Sequence, residues 1–437
     1  MDIKFIRQNP DKVRKGAQDK GRAVDVKKIL EIDTKQRALI TEVQKLKSQQ
    51  NEASRGLKDK PSDDLRNKLK SFKEEIKTKE NELEKIEKEL NSLINLVPNL
   101  PLDEVPHGTS SEDNAVIKEV GEKKHFSFTP KDYLDLGENL DLIDIKRAAK
   151  VAGGRFGYLR NEAVLFQFAL INYVLDTLTN EKKINEVIRK ANLVNLSEKP
   201  FVPVVVPDML KKELMWAMGY LDYNNEEVYH LEKDDLYLIG TAEQPLGAMH
   251  RNEILKEEDL PLRYLGYSTC FRREAGSYGK DVKGILRVHQ FDKLEMFSFA
   301  HPEESLKEHQ FFVALEERLM QGLEIPYRLL QLCAADIYAA SASSYDIEAW
   351  LPGSRRWMET HTTSHCTDFQ AERLNIRFKT QDKETKKPVL KTVHTLNGTA
   401  LAIGRALIAI LENYQEKDSS VSVPKALQKY LKFKKIR

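Results

Sequence analysis

Apolar residues in the first hundred positions recur at alternating spacings of three and four. Ile29, Ile32, Leu39, Val43 and Leu46 follow this rhythm in one segment. Leu65, Leu69, Phe72, Ile76, Leu83, Ile86, Leu90 and Leu93 follow it in a second, with Gln36 and Lys79 also on the seam. Such a repeat predicts two α-helices that bury the seam against a partner. The polar stretch 51–62 between them holds Gly56 and Pro61. A chain reversing there pairs the segments as an antiparallel coiled-coil hairpin, several tens of ångströms long at about 1.5 Å per residue. The breaker run VPNLP ends it.

Charge is uneven along this hairpin. Lys58, Lys60, Arg66, Lys68, Lys70, Lys73 and Lys77 crowd toward the tip, whereas ENELEKIEKEL near the base is rich in acids. A charged coiled-coil surface is commonly a solvated spacer or dimerisation element, and a basic tip also suits nucleic acid. The residues alone leave both readings open.

Beyond Pro98 to Pro106 the pattern changes. FVPVVVP, LYLIG, YDIEAWLP and RLNIRFK read as strands, and VLFQFALINYVLDTL as a helix between some of them. Regular strand–helix alternation is missing, and neither common Gly-rich phosphate loop occurs. The expected class is α+β, with a mainly antiparallel sheet and helices around it. The expected division is an arm over 1–105 and a catalytic domain over 106–437, which the length of 437 residues accommodates. The polar segment Glu181 to Lys199 reads as a surface insertion.

The run FRREAGSYGKDVKGILRVHQFDKLE, Phe271 to Glu295, reads as a long-looped hairpin, with one strand ending near Glu274 and a second spanning Ile285 to Phe299. Strand alternation puts Arg272 with Glu274 on one face, and Arg287, Phe291 and Glu295 on one face of the return strand. Arginines for phosphates, a ring for a base and a carboxylate for an exocyclic amine would hold a nucleotide. Cross-strand salt bridges would use the same residues. Downstream, Leu401 to Leu411 reads as a buried helix with Arg405 as its one charge. That guanidinium needs an anion, either an internal carboxylate or a ligand phosphate. GTAEQPL and RWMETHTTSHCTDF set carboxylates beside hydroxyls in expected strands, Thr241 with Glu243 and Glu359 with Thr362. Carboxylates beside phosphates imply a bridging Mg²⁺. His361 and His365 have no metal-site geometry in a strand, so no zinc is expected.

Charged residues make up 32% of the chain, yet the formal net charge is +2, so contact with nucleic acid would depend on local patches. The three cysteines, Cys270, Cys333 and Cys366, are scattered and lack zinc-site spacing, which suits a reduced cytosol. The N-terminal run MDIKFIRQNPDKVRKGAQDKG has no apolar signal core, and no window reaches the length of a membrane span. A soluble cytoplasmic protein is expected.

Together these residues resemble the seryl-tRNA synthetase family of class II aminoacyl-tRNA synthetases. FRREAGSYGKDVKGILRVHQFDKLE resembles the second signature motif of the class, LNGTALAIGRALIAILENYQ resembles the third, and Pro207 in PFVPVVVPDML resembles the proline of the first, which lies at the family's dimer interface. MDIKFIRQNPDKV and the hairpin match as well, so the resemblance covers nearly the whole chain. It implies a serine–tRNA ligase with an antiparallel six- to seven-stranded catalytic sheet and a coiled-coil arm that contacts the long variable arm of serine tRNA. It also implies a homodimer in which the arm of one subunit holds a tRNA whose acceptor end enters the other subunit's site.

Carried over position by position, the family's ATP contacts fall on Arg272 for the α-phosphate, Glu274 for the adenine amine, Phe291 for stacking and Arg405 for the γ-phosphate. Arg273, Arg287, Val288, Thr360 and His361 fall along the same site. Mg²⁺ accompanying ATP falls on Glu359 and Thr362. L-serine contacts fall on Thr241, Ala242, Glu243, Glu295 and Thr399, and the basic tip becomes the tRNA(Ser) contact. Arg272 and Arg405 are the implied catalytic residues, and service to tRNA(Sec) stays open. Ser343 and Ser344 stand where a lysine is frequent, Glu372 where an arginine is usual, and Thr362 and Thr399 keep the hydroxyl of the family's serines. Two rivals remain: a relative that has lost charging or loads an amino acid on a non-tRNA acceptor, and a coiled-coil scaffold with an unrelated head.

Overall fold

The seam folds into two long helices, α1 (Val26–Arg55) and α2 (Asp63–Ile94). Ser62 caps α2 by accepting from Leu65 N at 3.3 Å, and Asp63 and Asp64 favour the positive end of its dipole. Val26, Ile29, Ile32, Leu39 and Val43 on α1 and Ile76 and Leu90 on α2 are buried. The other seam residues, including Gln36 and Lys79, are at least half covered. Lys28 meets Glu89 at 3.6 Å, whereas Glu42 meets Lys79 at 2.6 Å and Lys47 meets Glu80 at 2.7 Å, so the start of α1 lies against the end of α2 and the later part of α1 against the middle of α2. Exposed pairs of this kind add little energy, but they report an antiparallel register.

The computed structural model describes residues 1–55, 62–222, 225–275, 283–382 and 384–437. The reversal expected at Gly56 and Pro61, together with Lys58 and Lys60, lies outside the described residues. Two units form, Met1–Leu100 and Pro101–Arg437. Residues 101–105, expected with the arm, run with the second unit: Leu102 N donates to Ala342 O at 2.9 Å, and Val105 is buried beside Leu332 and Ile337.

The second unit is built on an eight-stranded sheet. In chain order its strands are β1 (Ala115–Val120), β2 (Val202–Val205), β3 (Leu262–Phe271), β4 (Gln290–Ala300), β5 (Tyr327–Gln331), β6 (Ser343–Leu351), β7 (Arg356–His365) and β8 (His394–Ala402). Their spatial order is β1-β5-β6-β7-β8-β4-β3-β2, antiparallel throughout except for β2 beside β3. Helices α3 (Glu162–Leu178), α4 (Glu181–Lys190), α5 (Glu243–Ala248), α6 (Ser305–Gly322), α7 (Phe369–Leu374) and α8 (Ile403–Asn413) accompany it. The main core joins α3, α4, α6 and α8 to the sheet through residues such as Phe166, Ile184, Phe312, Leu396 and Leu407. Among the described residues, no helix is long and apolar enough to cross a membrane.

Several expected boundaries move. The return strand begins at Gln290 rather than Ile285, and the first strand stops at Phe271. Leu401 and Ala402 end β8, so the apolar helix starts at Ile403. Thr241 lies in a turn and Glu243 opens α5, so neither is in a strand. Arg373 and Leu374 belong to α7, and the strand of RLNIRFK starts at Arg377. The polar segment after Glu181 is not a bare surface insertion. Helix α4 buries Ile184, Val187 and Ile188, and Leu193 and Leu196 follow them into the core. Its apolar residues, three and four apart, lie hidden among charges in the sequence.

That segment is tied down by a buried ion pair. Arg263 Nε and Nη2 donate to Glu308 at 2.7 and 2.6 Å, both side chains are at most 1% exposed, and Arg263 Nη1 donates to Ser197 O at 2.9 Å and Lys199 O at 2.6 Å. Removing one partner strands the other charge in the interior. Glu308→Ala is therefore expected to cost about 3–5 kcal/mol, read from the chemical denaturation of the second unit. Glu316, on the same helix, differs. Both of its oxygens are buried without a hydrogen-bond partner among the described residues, and burial, reinforced by Asp346 and Glu295, pushes its carboxyl well above the ordinary 4.5. A raised folded-state value means stability held below pH 4.5 is lost as pH climbs toward neutrality. Glu316→Leu should remove that decline and gain about 1–3 kcal/mol at pH 7, measured by denaturant midpoints across pH. A variant that follows the wild-type pH dependence would contradict this account.

Candidate active site

Strands β3 and β4 pair from Leu262 opposite Phe299 to Phe271 opposite Gln290. Their pairing is carried one step further by Arg272 N donating to His289 O at 3.0 Å and by a 2.9 Å bond between His289 Nδ1 and Arg272 O. Arg272 and Glu274 thus sit just past a strand end, and Arg287 and Val288 just before a strand start. The expected convergence still occurs. The Arg272 guanidinium lies 5.3 Å from the Phe291 ring centre, its Nε donates to Gly240 O at 3.1 Å, and Arg287 Nη1 lies 3.5 Å from Glu274 Oε2. Val288 is packed in the core, and Arg273 turns to Tyr229, 5.7 Å from its ring centre.

The partner that Arg405 requires is internal: its Nη1 donates to Glu359 Oε1 at 2.7 Å and to Glu359 O at 3.0 Å. The Glu359 side chain is about half exposed; partial desolvation would raise its carboxyl, but the Arg405, Arg272 and Arg287 guanidiniums together hold it below its ordinary value. Strand β7 is irregular here. Ile347 faces His361, but Glu348 faces Glu359, so Thr360 is the extra residue of a bulge. Residues three apart in a regular strand lie on opposite faces. With the bulge, Glu359 shares the face of Glu348, and Thr362 that of Asp346, which is the same face. Thr362 hydrogen-bonds Asp346, whose carboxyl burial and Glu359 push well up and whose Oδ1 is buried without a partner among the described residues. A carboxylate, a hydroxyl and an orphaned carboxylate oxygen on one face are hard oxygen donors that fit Mg²⁺. Thr360 and His361 turn elsewhere. Thr360 Oγ1 donates to Ile347 O at 3.0 Å, and His361 contacts Thr360 Oγ1 at 2.8 Å and Ala400 O at 3.1 Å, its ring lowered to about 4 by burial. Among the described residues, no three His, Cys, Asp or Glu side chains are grouped to hold a metal ion.

A second polar cluster adjoins these arginines. Thr241, Glu243, Glu295 and Thr399 are all buried, and Ala242 is buried beside Gly266. Glu295 lies opposite Thr399 across β4 and β8. Glu243 accepts from Tyr220 Oη at 2.5 Å, Gln370 Nε2 at 2.9 Å, Tyr338 Oη at 3.0 Å and Asn397 Nδ2 at 3.0 Å. Asn397 Nδ2 also reaches Glu295 Oε1 at 3.4 Å, and Lys293 Nζ pairs with Glu295 at 2.5 Å. Burial first, then the Glu295 charge, raises the Glu243 carboxyl against these donors. Arg272 acts electrostatically on Tyr220, a donor to Glu243, as well as on Glu359, so the cationic and acidic clusters are neighbours.

Sequence reasoning missed Tyr220, Lys293, Tyr338, Asp346, Gln370 and Asn397. Asp346, Lys293 and Asn397 stand inside the strand motifs, where alternation could have singled them out. Tyr220, Tyr338 and Gln370 arrive from separate loops and α7, with no signal in spacing. Of the departures, Ser344 joins a buried hydroxyl chain with Ser341 and Ser364 at 2.8 Å each, and exposed Glu372 accepts from Thr392.

Comparison with known proteins gives the same picture over the whole chain. The family model for the seryl-tRNA synthetase N-terminal domain matches residues 1–101, and that for the tRNA synthetase class II core domain (G, H, P, S and T) matches residues 225–414. A serine–tRNA ligase from Dictyoglomus turgidum is 43% identical, with 100% of this chain and 99% of that protein covered. A crystal structure of seryl-tRNA synthetase from Pyrococcus horikoshii complexed with ATP superposes with a TM-score of 0.88 at 40% identity, covering 100% of this chain and 99% of that one. The cytoplasmic serine–tRNA ligase of Naegleria fowleri, in complex with AMP, gives 0.83 at 30% identity, covering 98% and 96%. With an N-terminal and a core family model both matched and relatives aligned over the full chain, the chain belongs to the seryl-tRNA synthetase family of class II aminoacyl-tRNA synthetases.

Proposed function

We propose that this protein activates L-serine with ATP and transfers it to the 3′ end of tRNA(Ser), with the second unit, Pro101–Arg437, catalytic and the first, Met1–Leu100, the tRNA-binding arm. The observation that carries this reading is the closeness of two clusters: three guanidiniums gathered about Glu359, and beside Arg272 the buried carboxylates Glu243 and Glu295 with their donors. A triphosphate suits the first part, and a small ligand with an ammonium and a hydroxyl suits the second. Alanine would leave the pocket's acceptors unpaired and would be penalised accordingly.

In the first step a carboxylate oxygen of serine attacks the α-phosphorus in line. The bond from that phosphorus to the bridging oxygen breaks, giving seryl-adenylate and pyrophosphate. No protein nucleophile is required. Arg272 receives the charge that develops on the α-phosphate, Arg405 holds the γ-phosphate, Phe291 stacks on adenine and Glu274 accepts from its amine. Glu359 and Thr362, with Asp346 beside them, would hold Mg²⁺, which supplies charge neutralisation across the phosphate oxygens. A hydroxyl of the tRNA's terminal adenosine then attacks the seryl carbonyl carbon, and AMP leaves. Rate enhancement comes from orientation and from cations fixed in advance where charge appears.

The proposed assembly is a cytoplasmic homodimer joined near Pro207. Beside that residue the edge strand β2 exposes Val202 and Val205, apolar side chains suited to a second copy. In the arm, Arg66, Lys68, Lys70, Lys73 and Lys77 are exposed on α2, placed to meet tRNA phosphates.

The primary test is ATP-dependent attachment of labelled serine to total tRNA, alongside serine-dependent pyrophosphate exchange. Arg272→Ala and Arg405→Ala should each lower exchange by about 10²–10³-fold or more with the fold retained. Wild-type exchange in either variant would overturn the assignment. Replacing Arg66, Lys68, Lys70, Lys73 and Lys77 by Glu should weaken charging and flatten its dependence on salt, while leaving exchange unchanged. Charging insensitive to these replacements would remove the arm from tRNA recognition.

A further inference from the structure

A tight turn outside the signature motifs packs against the Phe271 to Glu295 hairpin. Its residues are Gly153, Gly154, Arg155, Phe156 and Gly157, and Gly153 and Arg155 both have left-handed backbones, with φ of +95° and +60°. Arg155 O accepts from His289 N at 3.0 Å, and Arg155 Nη1 donates to Glu274 O at 3.1 Å. The Phe156 ring lies 5.3 Å from the His289 ring, and a Cβ at Gly157 would come within 2.7 Å of Ile285 Cγ2. The turn therefore touches the hairpin on both sides of its loop.

Glu274 needs such an anchor. It is not glycine, yet its φ is +52°, a conformation that costs of order 1 kcal/mol and persists only where the surroundings impose it. Its neighbours are held by other contacts: Arg272 by the paired bonds to His289, and Arg273 N by Glu227 O at 2.9 Å. The Arg155 guanidinium reaches the Glu274 carbonyl itself, limiting rotation of the peptide that carries the carboxylate. We propose that Arg155 is a positioning residue for adenine recognition, fixing Glu274 so that its carboxylate meets the 6-amino group of ATP. This rests on the proposed role of Glu274 as the acceptor from that amine.

The test compares ATP with purine riboside 5′-triphosphate, which carries hydrogen in place of the amino group, in serine-dependent pyrophosphate exchange. Wild-type enzyme is expected to prefer ATP by about 10–100-fold in kcat/KM, the range for one hydrogen bond to a charged acceptor. Arg155→Ala should cut that preference about tenfold through a higher KM for ATP, leaving the constants for the analogue and for serine unchanged. Arg155→Lys, which keeps a donor of similar reach, should recover part of the preference and guards against loss of fold in the alanine variant. A preference unchanged in both variants, or equal losses on the two nucleotides, would overturn the inference while leaving the Glu274 role standing. A wild-type enzyme indifferent to the amino group would overturn both.

Discussion

Two carboxylates set the terms for the second unit of this molecule. Glu243 and Glu295 are at most 2% exposed, and the Glu295 charge lies near enough to raise the Glu243 carboxyl. Left alone, such groups would take up protons or unfold their surroundings. Here donors converge from distant parts of the chain: Gln370 from α7, Asn397 from β8, Lys293 from β4, and Tyr220 and Tyr338 from separate loops. Asn397 donates to both carboxylates and so sits at the junction. The sheet order that places β8 beside β4 is what makes this sharing possible.

The neighbouring cluster solves the opposite problem. Arg272, Arg287 and Arg405 crowd one region, and the Glu359 carboxylate lies among them. Arg405 reaches that position from α8, a helix whose other residues are largely core, so the packing of its apolar face sets where the guanidinium stands. Charges mounted on buried elements need not reorganise when a charged substrate arrives, and that is how a fixed scaffold contributes to rate.

Much of this was legible in the sequence, for identifiable reasons. The arm could be read because a 3.5-residue repeat sustained over two long segments is the mark of helices packed along a seam. The meeting of Arg272, Phe291 and Glu295 followed from strand alternation, even though the ordered pairing stops sooner than expected. Alternation failed at Glu359 and Thr362, because a one-residue bulge cannot be seen in spacing and three-residue separation implies opposite faces. Helix α4 was hidden because Ile184, Val187 and Ile188 are outnumbered by charges. The Tyr220 and Tyr338 contacts are tertiary and leave no periodic trace.

The saturation of Glu243 has a further consequence. Its two oxygens together accept from four side chains, about as many as a carboxylate can accommodate. An incoming ammonium cannot simply add itself to that set; one resident must let go. Tyr338 already has an alternative neighbour in the Cys366 sulfur at 3.0 Å, and Asn397 has one in Glu295 at 3.4 Å. Occupancy of the pocket is thus an exchange of one hydrogen-bonding set for another. Under the proposed function, the affinity for serine is then a small difference between two large quantities, which would let the amino acid be held firmly enough to react and still come and go quickly.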